Sequence, residues 1–583
     1  MNFDISFDIF RRRRRARRQA GISAQGGPAS GWRDKLRRRH LSFVTISMSI
    51  IIPKAMGKSM KYLSRTIEYG LYLLVFLLPL QTRWIIKPGV LNNGPWEYGT
   101  YSLYGTDILL IAVLLLFVIY RFFDVSNFKF QISNLLIFGL VLASGVSVWF
   151  AADRTLALYK FGWLIMGVGL YWLIRRAGYD RARLVWSLIL GVSLQAGLGI
   201  WQFLSQATFS SKWLGLAWHL SGDLGTSVIE AVDADGIGER WLRASGGLDH
   251  PNMLGGVLAV AILLLIGEII RLEKVNFRFS PPEADPPPAE IFDFRIVKKF
   301  QISDFPPKAD QPRADKFQIK SGINKMGAIK ISQWLMLPVF TTGLFFSFSR
   351  SAWLALGVGL AVMAGLAMVG RNLKLQRGLA EIILAMGILS LILFSQYQNL
   401  IVARLGGQSR LEIKSNSERL ASYQESWQVI KNNWLLGAGL GNYTLAGYNA
   451  KMKICETAEY GTVDIARNYE KANQECQKIS GYYYQPAHNV FLLVWAETGG
   501  VGVLFFAIMI IYAFVRLLRL QPQFKKLGLD PRNDSGAVIL IALIVLMSLD
   551  HWLFSLHFGV LFFWLTLGLA THNSQPGAGI IVL

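Results

Sequence analysis

Apolar stretches of roughly 20 residues, the length that carries a helix across a bilayer, recur along this chain and decide what it can fold into. They fall at 67–82, 106–120, 133–149, 156–174, 184–204, 251–270, 333–347, 351–369, 379–396, 488–515, 535–550 and 557–571, the tenth bent at Gly499-Gly500. A soluble fold could not cover that much hydrocarbon: the chain is 52% hydrophobic, with 18 Trp and 36 Phe and a mean hydropathy of +0.36. The sequence predicts an all-α, polytopic integral membrane protein with about 12 transmembrane helices.

Charge predicts the orientation. Cytoplasmic connections carry an excess of Lys and Arg. With the N-terminus inside, the even-numbered connections are the inner ones. They hold Arg121 and Lys129; Arg175, Arg176, Arg181 and Arg183; the run from Arg271 to Lys330; Arg371, Lys374 and Arg377; and Arg516, Arg519, Lys525 and Lys526. Both termini are then cytoplasmic. Residues 1–65 carry 16 Lys or Arg against 3 Asp, which is +13 of the formal +23. Nucleic-acid binding is one reading of Arg11–Arg15, but in a membrane protein a basic arm against anionic lipid is simpler, and no nucleic-acid partner is expected. Residues 41–52 are too short to span and lack a small-residue cleavage site, so no signal peptide is expected.

Five regions follow: a basic arm (1–65), N-terminal membrane helices (66–270), a linker (271–332), a second membrane region (333–572) and a short tail (573–583). The linker holds Pro281-Pro282, Pro286-Pro287-Pro288 and Pro306-Pro307 with scattered charge and no sustained period, the composition of a disordered segment. Two connections on the outer side are long, 205–250 and 397–487. In the second, Leu420, Tyr423, Trp427, Ile430 and Trp434 follow 3-4-3-4 spacing after a Ser415/Glu418 capping box. This predicts an amphipathic helix on the membrane surface or on the protein's own roof. The only cysteines, Cys455 and Cys476, fall in the same connection. Two free thiols or a disulfide are both open there, and an oxidising compartment permits the bridge, worth about 3 kcal/mol in the chain-entropy model.

On this topology Arg240, Arg243, His250, Arg350, Arg404, Arg410, Arg419 and His488 all reach the outer boundary, the side on which arginine is disfavoured. His488, in Gln485-Pro486-Ala487-His488-Asn489, stands where a long polar segment meets an apolar one. It is either a hydrogen-bonded end cap or a base, since its ordinary pKa lies close to neutral pH. Arg350 sits in the short polar break Phe346-Ser347-Phe348-Ser349-Arg350-Ser351. There it either snorkels to the interface or offers its planar fork to a phosphate. Arg243 precedes a glycine turn leading to Asp249-His250-Pro251-Asn252, where His250 suits a cap better than a base. Arg419 near the start of the amphipathic helix opposes the helix dipole and asks for a counter-anion, Glu418 or a ligand. Lys160, inside the fourth span, serves either function or a partner carboxylate. No phosphate-binding glycine loop, His-Glu-x-x-His pattern or metal-spaced cysteine pair occurs, so neither nucleotide, cofactor nor metal is expected.

Four blocks in order resemble the O-antigen ligase and polymerase (Wzy-C) superfamily. They are Phe348-Ser349-Arg350-Ser351-Ala352-Trp353; Arg419 with Trp427 and Gly437-Ala438-Gly439-Leu440-Gly441-Asn442-Tyr443; His488-Asn489-Val490-Phe491-Leu492; and Glu497-Thr498-Gly499. Gln202-Phe203 and Arg243 ahead of His250-Pro251-Asn252 resemble its earlier blocks. The resemblance spans roughly 65–572. It implies a GT-C-like membrane glycosyltransferase on the outer face of a bacterial inner membrane. Such an enzyme moves a glycan from an undecaprenyl-diphosphate carrier to a lipid or polysaccharide acceptor without metal. By the same resemblance His488 is the base and Arg350, Arg419 and Arg243 hold the diphosphate; Lys160, His250, Arg240 and Asn489 are secondary candidates from their positions in the chain. A repeat-unit polymerase and a protein O-oligosaccharyltransferase stay open, as does a bicarbonate-transporter-like protein. The basic arm and the linker depart from the family's pattern.

Overall fold

The computed structural model describes residues 54–123, 132–223, 225–232, 238–279, 332–369, 373–406, 410–457, 484–524 and 531–572. The chain divides into an N-terminal unit, Met1–Lys61, and a main unit, Tyr62–Leu583. Of the first only residues 54–61 are described. The basic arm before Lys54, the Pro-rich linker beyond Phe279, the tail and Cys476 lie outside the described residues, and the Cys455–Cys476 pairing with them.

A helix occupies each of the twelve predicted places. In order these are α1 (Lys54–Leu77), α2 (Gly105–Phe123), α3 (Ile132–Trp149), α4 (Arg154–Arg176), α5 (Arg181–Ser205), α6 (Pro251–Phe279), α7 (332–346), α8 (Arg350–Val369) and α9 (Leu373–Gln396). After the short α10 (Gln398–Leu405), α11 (Arg410–Asn432) and α12 (Tyr443–Thr457) come α13 (Val490–Phe524) and α14 (Pro531–Leu549), then the single turn α15 (Trp552–Ser555) and α16 (His557–Thr571). Eight of them, α2 to α6, α8, α9 and α13, are long and apolar enough to cross a membrane. The protein is a multi-pass membrane protein.

α6 is the axis. It is apolar on every side, and 94% of its spanning window is buried, which is how a helix surrounded by other helices reads. Pro251 opens it at the position where a missing N–H is harmless. α5, α8 and α14 pack around it. Asp153 caps α4 by accepting from the Leu156 N–H, and Asp180 caps α5 by accepting from Ala182 and Arg183.

Among the described residues three antiparallel strand pairs sit in the connections, none of them anticipated from the sequence. β1 (Arg83–Lys87) pairs with β4 (Tyr101–Tyr104), β2 (Val90–Leu91) with β3 (Gly94–Pro95), and β5 (Val228–Val232) with β6 (Gly238–Leu242). α11 also corrects the sequence reading. It begins at Arg410, so Ser415 lies inside it and caps nothing. Its buried residues are Glu412, Ser426, Val429 and Ile430, whereas Leu420 and Trp427 are turned outward, so most of the predicted apolar stripe does not cover the protein's own roof.

α13 breaks at Gly499, whose φ of +70° only glycine adopts without strain. The break strands backbone groups, and the loop after α11 satisfies them. Ala438 and Gly439 N–H donate to the Ala496 and Glu497 carbonyls at 2.8 and 2.9 Å, and Gly500 N–H donates to Trp434 O at 2.7 Å. The approach is too close for side chains: a Cβ on Gly437 would lie 2.3 Å from Glu497 O, and one on Gly499 2.1 Å from Leu435 O. Gly499→Ala should therefore destabilise the fold by about 3 kcal/mol or more, combining left-handed strain with a backbone clash. A lowered unfolding temperature of the purified protein in detergent would show it; an unchanged one would mean that the break is not held from both sides.

Candidate active site

Several of the sequence-predicted residues meet where connections between the helices line a cavity of about 310 Å³. It is walled by the β2–β3 hairpin and its exit (Pro95, Trp96, Glu97, Tyr98), by Thr226, Arg243, Asp249 and His250, and by Tyr484, His488, Asp550 and His551. The residues come from four connections that the sequence separates widely.

His488 is half-buried, one residue before Asn489, which caps α13 by accepting from the Leu492 N–H at 3.0 Å. Asn489 also donates to the Ser548 carbonyl at 3.1 Å, tying the start of α13 to the end of α14. That tie brings His488 to Asp550: Nδ1 lies 4.0 Å from the carboxylate, and Nδ1 has no hydrogen-bond partner among the described residues. Asn252 Nδ2 donates to Asp550 Oδ2 at 2.8 Å and the His551 backbone N–H donates to Oδ1 at 2.8 Å, fixing the carboxylate. Sequence adjacency pairs Asp550 with His551; the fold turns the carboxylate toward His488 as well.

Burial pushes the His488 pKa below its ordinary value; Asp550 opposes this and Arg419 adds to it. Burial also lowers His551, to about 4, and His250. Burial alone would raise Asp550, but the three histidines and the Asn252 amide hold it below the usual carboxylate range. At neutral pH the site therefore presents an ionised carboxylate beside neutral imidazoles. His250 accepts from the Asn252 N–H at 3.1 Å and so caps the first turn of α6, while His551 Nδ1 lies 2.7 Å from Ser555 Oγ.

The arginines meet at the break between α7 and α8. Phe348 has φ +47°, rare for a bulky residue, and is held there by its carbonyl, which accepts from both Arg404 Nε (3.1 Å) and Arg243 Nη2 (3.3 Å). Arg243 also donates to Ser347 O and to Asn252 Oδ1, both at 2.9 Å. Burial lowers its pKa, and Arg404, Arg350 and Arg419 press in the same direction, as like charges gathered in one place do. Arg350 opens α8 and pairs with the buried Glu412 at 3.0 Å, and Arg404 takes the other oxygen of the same carboxylate. Glu412, which no local pattern marks, is the counter-ion of this cluster. Arg419 Nε is buried with no partner among the described residues.

Two secondary candidates stand elsewhere. Arg240 is taken up by Glu230 at 3.8 Å and by the Gly222 carbonyl. Lys160 is buried with Nζ 3.6 Å over the Trp163 ring, and it lines a separate, mostly apolar cavity with Glu497. Among the described residues His488, Asp550 and His551 bring three ligand atoms within 4.8 Å of one another, a set of two imidazoles and a carboxylate able to hold a divalent ion. The spacing test on the sequence missed it because the ligands come from two connections.

Residues 334–507 match the O-antigen ligase family model, Wzy_C. The chain carries an O-antigen ligase domain. The match contains Arg350, Arg404, Glu412, Arg419, His488 and the Gly437–Gly499 contact, and it stops short of Asp550. The O-antigen ligase domain thus supplies the base candidate and most of the arginine cluster, while Arg243, Asn252 and Asp550 reach them from outside it. No curated protein matches the chain. Over that segment the match supports an O-antigen ligase-like membrane enzyme, with polysaccharide biosynthesis as its setting.

Proposed function

We propose that the protein transfers a glycan from an undecaprenyl-diphosphate carrier to an acceptor hydroxyl, in a GT-C-like membrane frame and on the outer face of the inner membrane. One juxtaposition carries the reading: a neutral imidazole with an ionised carboxylate behind it shares one end of the bundle with a cluster of arginines. His488 removes the acceptor proton, and Asp550, 4.0 Å away, stabilises the imidazolium that forms. At an effective dielectric of about 20 such a pair gains about 4 kcal/mol. Arg419, with its unpartnered donor, and Arg350 neutralise the departing diphosphate. Arg243 and Arg404 are spent mainly on backbone carbonyls and on Glu412, so their part is to hold the α7–α8 break in shape.

Cells lacking the protein should accumulate lipid-linked glycan and restore normal levels when the gene returns. Normal lipid-linked glycan together with lost inorganic-carbon uptake would replace this reading with transport.

A further inference from the structure

We propose that His488, Asp550 and His551 form a zinc site, and that zinc bound there stops transfer by taking the lone pair the base needs. The proposal rests on the reading of His488 as the base. It adds a metal to that residue's partners and gives the site an off state.

The three residues come from two connections, the approach to α13 and the turn between α14 and α15. Each offers one ligand atom, and these atoms all lie within 4.8 Å of one another. Two imidazoles and a carboxylate are a donor set that zinc takes, with a fourth position left for water. All three residues line the cavity of about 310 Å³, which gives an ion a way in and a water room beside it. Around a tetrahedral zinc, ligand atoms at about 2.0–2.2 Å from the ion stand about 3.3–3.6 Å apart, so the side chains draw together by roughly 1 Å. His488 is the piece free to do so. Its Nδ1 has no hydrogen-bond partner among the described residues and already faces the carboxylate at 4.0 Å.

The other two ligands are oriented from behind. A metal-bound histidine donates its second ring N–H to a neighbouring acceptor, which fixes the lone pair on the nitrogen that meets the metal. Ser555 Oγ donates to the His551 carbonyl at 3.1 Å, so its own proton is engaged and it accepts from His551 Nδ1–H at 2.7 Å. The lone pair of His551 is thereby held on Nε2. Asp550 accepts one bond on each oxygen, from the His551 backbone N–H and from Asn252 Nδ2, both at 2.8 Å, and each oxygen keeps a second acceptor position. Charge alone would not draw a cation here, because the Arg419 charge acts on both histidines. Nitrogen ligands supply the binding, and they select zinc over magnesium and calcium, which take oxygen.

Inhibition follows from the single lone pair of the imidazole. A neutral ring carries one proton and one free lone pair. In transfer, Nδ1–H faces Asp550 and Nε2 accepts the proton of the acceptor hydroxyl. When zinc bonds Nδ1, the ring proton passes through solvent to Nε2, which then only donates. The ion also takes the Asp550 charge that would have stabilised the imidazolium. Zinc and the transferred proton exclude each other at His488.

Equilibrium dialysis of the chelator-stripped full chain in nanodiscs against zinc chloride tests the site. The protein should hold one zinc and take up no magnesium, and X-ray absorption at the zinc edge should show two imidazole nitrogens. Ser555→Ala, which frees the His551 ring, should weaken zinc binding about 10–100-fold, and His551→Gln should weaken it further. Zinc should stop transfer reversibly. The concentration that halves each variant's own zinc-free rate should rise in step with its dissociation constant. No bound zinc, equal affinity in both variants, or transfer unchanged or quickened in the loaded protein overturns the proposal. If zinc binds in this pattern and yet lipid-linked glycan does not accumulate without the protein, the reaction is misread and the metal site stands without its inhibitory role. Accumulation with no zinc bound removes the zinc site alone.

Discussion

His488→Ala should lower glycan transfer by about 10²–10⁴-fold, the range a placed general base supplies, while the protein still inserts and still binds its lipid-linked donor. The size follows from the site. Burial keeps the imidazole neutral, so it is ready to accept a proton, and the buried Asp550 carboxylate becomes useful only once that proton has arrived. The same arrangement fixes the sign of the pH dependence. A base whose pKa is lowered stays active as pH falls below about 6.5, and the rate declines only through its lowered value. Asp550→Asn removes the group that opposes the lowering, so it should slow transfer and move that acid limb to still lower pH. His250 and His551 are internal controls, since the first caps α6 and the second is bonded to Ser555. If His488→Ala transferred at a near-normal rate while His551→Ala abolished transfer, the base would belong to the other connection.

The twelve helical places were legible because hydrocarbon length leaves a signature that needs no partner. The site was legible only as parts. His488 and Arg350 stood out because each is polar where an apolar span ends, Arg419 because it opposes a helix dipole, and Arg243 because it precedes a glycine turn on the side where arginine is disfavoured. What joins them is long-range and leaves no local trace. Asp550 stands next to His551 in the sequence, and spacing along the chain is blind to α14 returning beside α13, which brings the carboxylate to His488. Glu412 was invisible for the same reason: its meaning lies in Arg350 and Arg404, which arrive from two other elements. The hairpins around Trp96 were missed because β2 and β3 are two residues each, too short for a period of two to register. The stripe on α11 left two surfaces open, the membrane and the protein's own roof, and spacing alone does not choose between them. Its spacing was that of a helix, but burial went to Ser426, Val429 and Ile430, and in a membrane protein an apolar face has lipid as well as protein to meet.

Arg350→Ala should weaken donor binding and turnover together, by roughly 10²-fold, and Arg350→Lys should recover only part, because an ammonium keeps the charge and loses the paired fork. The partner variant makes this a test of mechanism. Glu412 holds Arg350 and Arg404 at once, so in the free protein a carboxylate already occupies the anion's place on these arginines. A diphosphate must compete with it. Glu412→Gln should therefore bind the donor more tightly, even though withdrawing the counter-ion of a buried pair costs about 3–5 kcal/mol of stability. Donor affinity and unfolding temperature should move in opposite directions in this variant and in the same direction in Arg350→Ala. Two results would break the argument. Unchanged donor affinity in Arg350→Ala would leave Arg350 a purely structural partner of Glu412. Weaker donor binding in Glu412→Gln would mean that the carboxylate positions the arginines for the diphosphate instead of competing with it.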